Sequence, residues 1–168
     1  TINIAYLEGH KPVGGYVFVP CTSLAYVAEY GGGAFRIESD GVKTELRSQA
    51  FRLTDPGLNV VASRSHRDSM TDKIISRLRE PVIVSTGSSL KFLLIADGKA
   101  NFYPRLAPTM EWDTAAAQCI LEEAGGSLLQ FDNLLPLVYN KPDLLNPHFI
   151  AMGAMLDPES LVDLLRTL

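Results

Sequence analysis

The chain is written in two grammars, and the change between them near residue 57 constrains its fold more than any other feature. Up to Ile37, short runs of β-branched and aromatic residues alternate with turn residues. The runs are Ile2 to Leu7, Val13 to Val19, Leu24 to Tyr30 and Ala34 to Ile37. Between them lie His10-Lys11-Pro12, Pro20 and Gly31-Gly32-Gly33. Connections this short join antiparallel neighbours, because a parallel pair needs a long crossover. Ser39 to Pro56 is polar and turn-rich, and is expected to be a surface connection.

From Leu58 the order becomes strand, helix, strand, helix. Leu58 to Ala62 reads as a short buried strand. Met70, Ile74, Ile75 and Leu78 share a helical face, with Asp68 or Ser69 as N-cap and Pro81 as stop. Val82 to Val84 is a strand, and Ser88-Ser89 opens a helix with Leu90, Leu93 and Leu94 on one side and Gly98 at its end. Ala100 to Tyr103 is a strand and Pro104 to Glu111 a loop. A helix is expected from about Thr114 to Ala124, with Asp113 as N-cap and Gly125-Gly126 as the left-handed stop. Ser127 to Phe131 and His148 to Met152 are strands, and Asp157-Pro158 caps a last helix carrying Leu161, Leu164, Leu165 and Leu168. The sum is a layered α/β fold of α+β character: N-terminal antiparallel strands, then a mixed sheet flanked by helices.

A length of 168 residues suits one domain, and 46% apolar with 20% charged residues supports a packed core. A net charge of −4 argues against a nucleic-acid polymer as partner, while leaving room for a small phosphorylated metabolite held by local cations. Cys21 and Cys119 lack metal-ligand or redox spacing and read as reduced, mostly buried thiols of a cytoplasmic protein. A peripheral position at the inner membrane is the variant of that location. The sequence shows no transmembrane-length apolar run and no signal peptide. Thr1 to Leu7 reads as a strand already under way, so further sequence is expected before it.

Three loops bring polar groups to strand or helix ends. Ser63-Arg64-Ser65-His66 could surround a phosphate or nucleobase, although taken alone it is a weak signal that an ordinary polar strand-to-helix loop explains better. Ser85-Thr86-Gly87-Ser88-Ser89, followed by Lys91, sets small residues and a cation at a helix start, where an anion is favoured. A Ser-rich cap with a solvated lysine is the plain alternative. Asp113 is either a cap or a hard-metal ligand, and one oxygen for each role is compatible with both.

Trp112-Asp113-Thr114-Ala115-Ala116-Ala117, with Glu123-Ala124-Gly125-Gly126, resembles the second signature of the inositol monophosphatase superfamily. Ala117 stands where that signature commonly has glycine. Ser63 to His66, Gly98 to Ala100, Tyr103-Pro104-Arg105 and Pro108-Thr109 resemble its CysQ-like bisphosphate nucleotidase branch. The resemblance implies a sugar-phosphatase-like fold, with residues 1–56 a remnant of the N-terminal sheet and 57–168 the C-terminal α/β subdomain. It implies that Asp113 is a catalytic magnesium ligand, and that Ser63, His66, Gly87 and Lys91 contact the nucleotide. It also implies two or three Mg²⁺ ions in the complete enzyme.

Inositol phosphatases tend to place an acid in the loop before Trp-Asp. Here that loop offers Arg105, and its only acid is Glu111. A cation suits a second phosphate, which favours 3'-phosphoadenosine 5'-phosphate, hydrolysed to AMP in sulfur assimilation and nucleotide recycling. An inositol or sugar phosphatase, or a non-catalytic nucleotide-binding fragment, are the alternatives. The family's glutamate pair and its Asp-Pro-x-Asp-Gly-Thr motif do not occur in these residues. The N-terminal part of the family fold is thus expected to lie outside them. Residues 1–168 alone are then expected to be inactive, and to self-associate or to need the missing segment as partner.

Overall fold

The structure is a computed structural model describing residues 1–62 and 68–168. Its first sheet is an antiparallel meander of five strands in sequence order: β1 (Ile2–Glu8), β2 (Lys11–Val19), β3 (Leu24–Glu29), β4 (Gly33–Ile37) and β5 (Lys43–Glu45). Alternation along the strands sorts the side chains. Ile2, Ile4, Tyr6 and Tyr16 share an outer face and are exposed, whereas Val17 and Val19 point into the core.

The segment from Ser39 to Pro56 is more than a surface connection. It contains β5 and a two-residue strand, β6 (Ala50–Phe51), and it buries Leu46, Phe51 and Leu53. Its strands are too short to show a period of two, and their pairing comes from partners distant in sequence. The main-chain N–H of Leu46 donates to Ala34, and β6 runs parallel to β12 (Ala154–Met155).

The second sheet is mixed, in the order β10 (Ser127–Gln130), β11 (Phe149–Met152), β9 (Phe102–Arg105), β7 (Asn59–Val61), β8 (Val82–Val84). β10, β11 and β9 are antiparallel, while β7 runs parallel to both β9 and β8. Both faces are covered. Val60, Phe102, Ile150 and Met152 pack towards α1 (Ser69–Ser76) and α4 (Pro158–Arg166). Val61, Tyr103, Phe149 and Ala151 pack on the other side with α2 (Leu90–Ala96) and α3 (Glu111–Glu123). The same core includes Val17, Tyr26 and Ala34 of the first sheet, so α2 and α3 form the layer between two sheets.

Local chemistry sets the helix ends. Asp68 caps α1, its carboxylate accepting from the Thr71 main-chain N–H at 2.8 Å and from the Thr71 hydroxyl at 2.7 Å. Asp157 precedes Pro158 as expected, yet its carboxylate does not cap α4. It accepts from the Leu53 N–H at 3.1 Å, tying α4 to the 50s segment. α3 starts three residues earlier than its apolar spacing indicates, because Glu111 and Thr114 are buried polar residues that periodicity scores as exposed. Asp113 is therefore not the N-cap. Met110 is, and Asp113 reaches back so that its Oδ2 accepts from the Met110 N–H at 2.9 Å. Gly125, at φ +87°, ends the helix in the left-handed region as expected.

β2 and α3 approach each other closely at Gly15, where a Cβ would overlap the carbonyl oxygen of Ala116 and crowd Cys119. Cys119 is buried, and burial raises its thiol pKa to about 11, whereas Cys21 is exposed rather than buried. Gly15→Ala should lower stability by about 1–3 kcal/mol, the usual cost of overpacking. Gly14→Ala one residue away, where the nearest atom is Tyr6 Cβ at 3.4 Å, should cost markedly less. Paired urea melts check this, and equal midpoints would show that the sheet slides freely over α3.

Candidate phosphate-binding site

A cleft of about 230 Å³ opens where β1, the start of α2, the end of β9 and the start of α3 converge. Lys91, Arg105 and Asp113 all line it, joined by Asn3, Ser89, Tyr103 and Thr109. Three of the residues singled out in the sequence, separated by up to 22 positions, thus share one wall system. Gly87 is exposed and does not line this cleft. Ser63 and His66 lie outside the described residues.

Each side chain is aimed by its element. α2 begins after Ser88, whose backbone adopts φ +53°, and this sharp turn brings the Ser88 carbonyl within 3.2 Å of Lys91 Nζ. Lys91 Nζ also lies 5.5 Å from the centre of the Tyr103 ring. Burial lowers the Lys91 pKa below its ordinary 10.5, and Arg105 lowers it further, with Asp113 opposing. Lys91, Arg105 and Asp113 therefore feel one another across the cleft. Arg105 Nη2 donates to the Pro108 carbonyl at 3.4 Å, while its Nε is enclosed with no partner among the described residues. Tyr103 is held neutral, its pKa raised to about 12 chiefly by burial.

Asn3 is a site residue that sequence reasoning passed over, and it meets Ser89 of the Ser-rich helix start singled out there. Ser89 Oγ donates to Asn3 Oδ1 at 2.7 Å, and the Thr1 hydroxyl lies 2.5 Å from Ser88 Oγ and 2.8 Å from Ser89 Oγ. A signal existed in β1: Asn3 is the one polar residue on an inward face otherwise made of Ala5 and Leu7.

Glu111 points away from the cleft. Only 7% exposed, its carboxylate accepts from the Asn140 N–H at 2.7 Å and the Lys141 N–H at 3.2 Å, and it forms an ion pair with Lys141 Nζ. Burial works against its charge, but these donors outweigh burial and hold its carboxyl below the ordinary 4.5. Tyr139 extends the clamp, its hydroxyl 2.5 Å from Gln118 Oε1 and 3.1 Å from Thr114 Oγ1.

Among the described residues Asp113 is the only carboxylate lining the cleft, with one oxygen engaged by Met110. Among the described residues no group of three or more His, Cys, Asp or Glu side chains could hold a metal ion. Mg²⁺ binds through several oxygen donors and gives up water reluctantly. These residues therefore do not make a magnesium site on their own, though Asp113 is of the right chemistry to be one ligand of such a site.

Two helices layered between an antiparallel meander and a mixed sheet make a sugar-phosphatase-like fold. The inositol monophosphatase family model matches residues 1–160, and the chain belongs to that family. A 3'(2'),5'-bisphosphate nucleotidase CysQ of Salmonella typhimurium is 39% identical over 149 residues, 89% of this chain and 58% of the relative. The crystal structure of CysQ from Bacteroides thetaiotaomicron superimposes with a TM-score of 0.77 at 37% identity, covering 90% of this chain and 62% of that one. An inositol monophosphatase of Thermotoga maritima shares the fold, with a TM-score of 0.74 at 22% identity over 98% of this chain and 60% of its own. The chain thus spans 58% of the length of the Salmonella relative. No helix among the described residues is long and apolar enough to cross a membrane.

The Glu111 clamp makes a stability prediction with a defined sign. A carboxyl whose folded pKa is depressed adds stability above its unfolded value, near 4.5, and loses it as pH falls through the folded value. Lys141→Ala should cost about 1–3 kcal/mol at neutral pH. The gap from wild type should narrow as pH falls below 4, which urea midpoints at pH 7 and pH 3.5 will read. A pH-independent gap would assign the loss to packing alone.

Proposed function

We propose that this chain forms the substrate-binding part of a magnesium-dependent phosphomonoesterase that removes the 3'-phosphate of 3'-phosphoadenosine 5'-phosphate, giving AMP and inorganic phosphate. Residues 1–56 are then the remnant of the family's N-terminal sheet and 57–168 its C-terminal subdomain. The observation carrying the substrate choice is the pairing of Lys91 with Arg105 in the Asp113 cleft while Glu111 is turned away and neutralised by Lys141. A polyol needs acceptors for its hydroxyls, and the one acid of this loop is already spent on the clamp. A second phosphate needs cations, and among the described residues the cleft offers Lys91 and Arg105. The bisphosphate nucleotidase name of the Salmonella relative supports the same choice.

In this reading Lys91 and Arg105 hold the two phosphates and oppose the charge on their oxygens, and Ser89 and Asn3 order the cleft wall between them. Water attacks phosphorus in line, the bond to the ribose 3'-oxygen breaks, and that oxygen leaves with a proton. When bound, Mg²⁺ would supply Lewis acidity and an activated water, and Asp113 would be one of its ligands.

Two measurements on the full-length protein test the assignment. Asp113→Asn keeps an acceptor for the Met110 N–H, so the melting temperature should change little while turnover drops by at least about a hundredfold. A near-wild-type rate with an unaltered magnesium requirement would leave Asp113 a helix-start residue only. Lys91→Ala and Arg105→Ala should each weaken 3'-phosphoadenosine 5'-phosphate by roughly ten- to a hundredfold, the value of a charge-assisted contact. Adenosine 3'-monophosphate should suffer less from one of the two changes. Faster turnover of inositol 1-phosphate by the wild type would instead favour the polyol reading.

A further inference from the structure

We propose that Asn146 is a positioning residue for the cleft: its side-chain amide fixes Thr109 and the first turn of α3, and thereby sets where the Asp113 carboxylate stands. This rests on the phosphatase reading for its kinetic consequence, though not for its structural one.

Asn146 lies outside the cleft lining, on the strap that leads into β11, and is only 5% exposed. The strap pairs with the loop before α3 as a short antiparallel bridge. The Asn146 N–H donates to the Thr109 carbonyl at 2.9 Å, and the Glu111 N–H to the Leu144 carbonyl at 3.0 Å. The second bond satisfies one of the N–H groups that a helix start leaves without an internal partner.

The side chain adds what the bridge lacks. Asn146 Nδ2 is 2.8 Å from the Met110 carbonyl, 3.1 Å from Thr109 Oγ1 and 3.0 Å from Thr114 Oγ1. An amide nitrogen has two hydrogens. One is committed to the Met110 carbonyl, the closest acceptor and one that cannot donate, and the other is shared by the two hydroxyls. Met110 is also the residue to which Asp113 is bound twice. Its N–H donates to Asp113 Oδ2 at 2.9 Å, and its carbonyl accepts from the Asp113 N–H at 2.9 Å. One buried amide thus grips the turn on which Asp113 is folded back, and also Thr109, a second cleft residue.

Asn146 Oδ1 is buried without a partner among the described residues. A leucine would fill similar space without that penalty, so the side chain is present for its donors rather than its bulk. The clamp built from Glu111, Thr114 and Tyr139 holds the buried side of the same helix turn. Asn146 is the member that connects this anchor to the side facing the cleft.

The test uses full-length protein carrying Asn146→Leu, which removes the donors at similar volume, or Asn146→Asp, which replaces them with acceptors. Hydrogen exchange at the Met110 amide reads the bond to Asp113 without reference to activity, and it should quicken at least tenfold in both variants. Turnover of 3'-phosphoadenosine 5'-phosphate should fall at least tenfold, with a raised half-saturating Mg²⁺ concentration and a nucleotide KM within about threefold of wild type. Unchanged Met110 exchange in a folded variant would overturn the proposal, as would a rate loss that merely tracks the unfolded fraction. If one variant does not fold, the other carries both readouts, and Thr109→Val, which cuts one arm of the amide, substitutes if neither does. A wild type that hydrolyses no phosphomonoester would sink the functional reading, while Met110 exchange would still decide the role of Asn146.

Discussion

α3 is buried on nearly every side, and the molecule is arranged around that fact. Ile120 and Leu121 are fully enclosed, each contributing about 1.5–3 kcal/mol of apolar burial. Ala115, Ala116 and Ala117 let neighbouring elements come near the helix axis, and Gly15 of β2 meets the Ala116 carbonyl directly. At its start the Glu111 N–H donates to the Leu144 carbonyl of the strap, the Asp113 N–H to the Met110 carbonyl, and the Met110 N–H to Asp113 Oδ2. The strap N–H groups of Asn140 and Lys141 in turn donate to the buried Glu111 carboxylate. The polar network at the helix start follows from the burial of its middle.

That requirement also shapes the cleft. Glu111 and Asp113 are two residues apart on one turn, and two carboxylates so close would repel if both faced the same space. The strap resolves this by taking Glu111 into an ion pair with Lys141, which leaves Asp113 as the carboxylate of the cleft. Among the described residues Lys91 and Arg105 then face one negative charge rather than two, and burial, with Arg105 nearby, lowers the Lys91 pKa. Among the described residues such a site is incomplete as a place for metal, and its cations are what the proposed bisphosphate reading rests on.

At the other end of α3, Glu123 accepts from the Gly31 and Gly33 N–H groups at 3.0 and 2.9 Å, fastening the β3–β4 turn. Arg36 of β4 reaches Asp97 at the end of α2 at 2.8 Å. The meander is thus tied to the helical layer by polar contacts at its rim as well as by Val17, Val19 and Ala34 beneath. The outer face of β1, with Ile2, Ile4 and Tyr6, has no such cover among the described residues.

The sequence by itself determined the elements whose forces are local. The meander was legible because Gly and Pro punctuate β-branched runs, and α1 and α4 because an apolar stripe recurs at helical spacing. The stop at Gly125 was legible because few other residues accept a positive φ. The family was legible in the Trp112 to Gly126 composite. Only the tertiary structure decided the rest. It set the true start of α3, since Glu111 and Thr114 are polar residues made buriable by partners some 25 to 30 positions away. It turned Asp157 from a cap into a brace on Leu53, and it gave β5 and β6 partners that no short window of sequence contains. It also brought Asn3, Lys91, Arg105 and Asp113 to one cleft. Periodicity reports which face of an element is apolar, whereas the meeting of polar ends from four elements depends on how the layers stack.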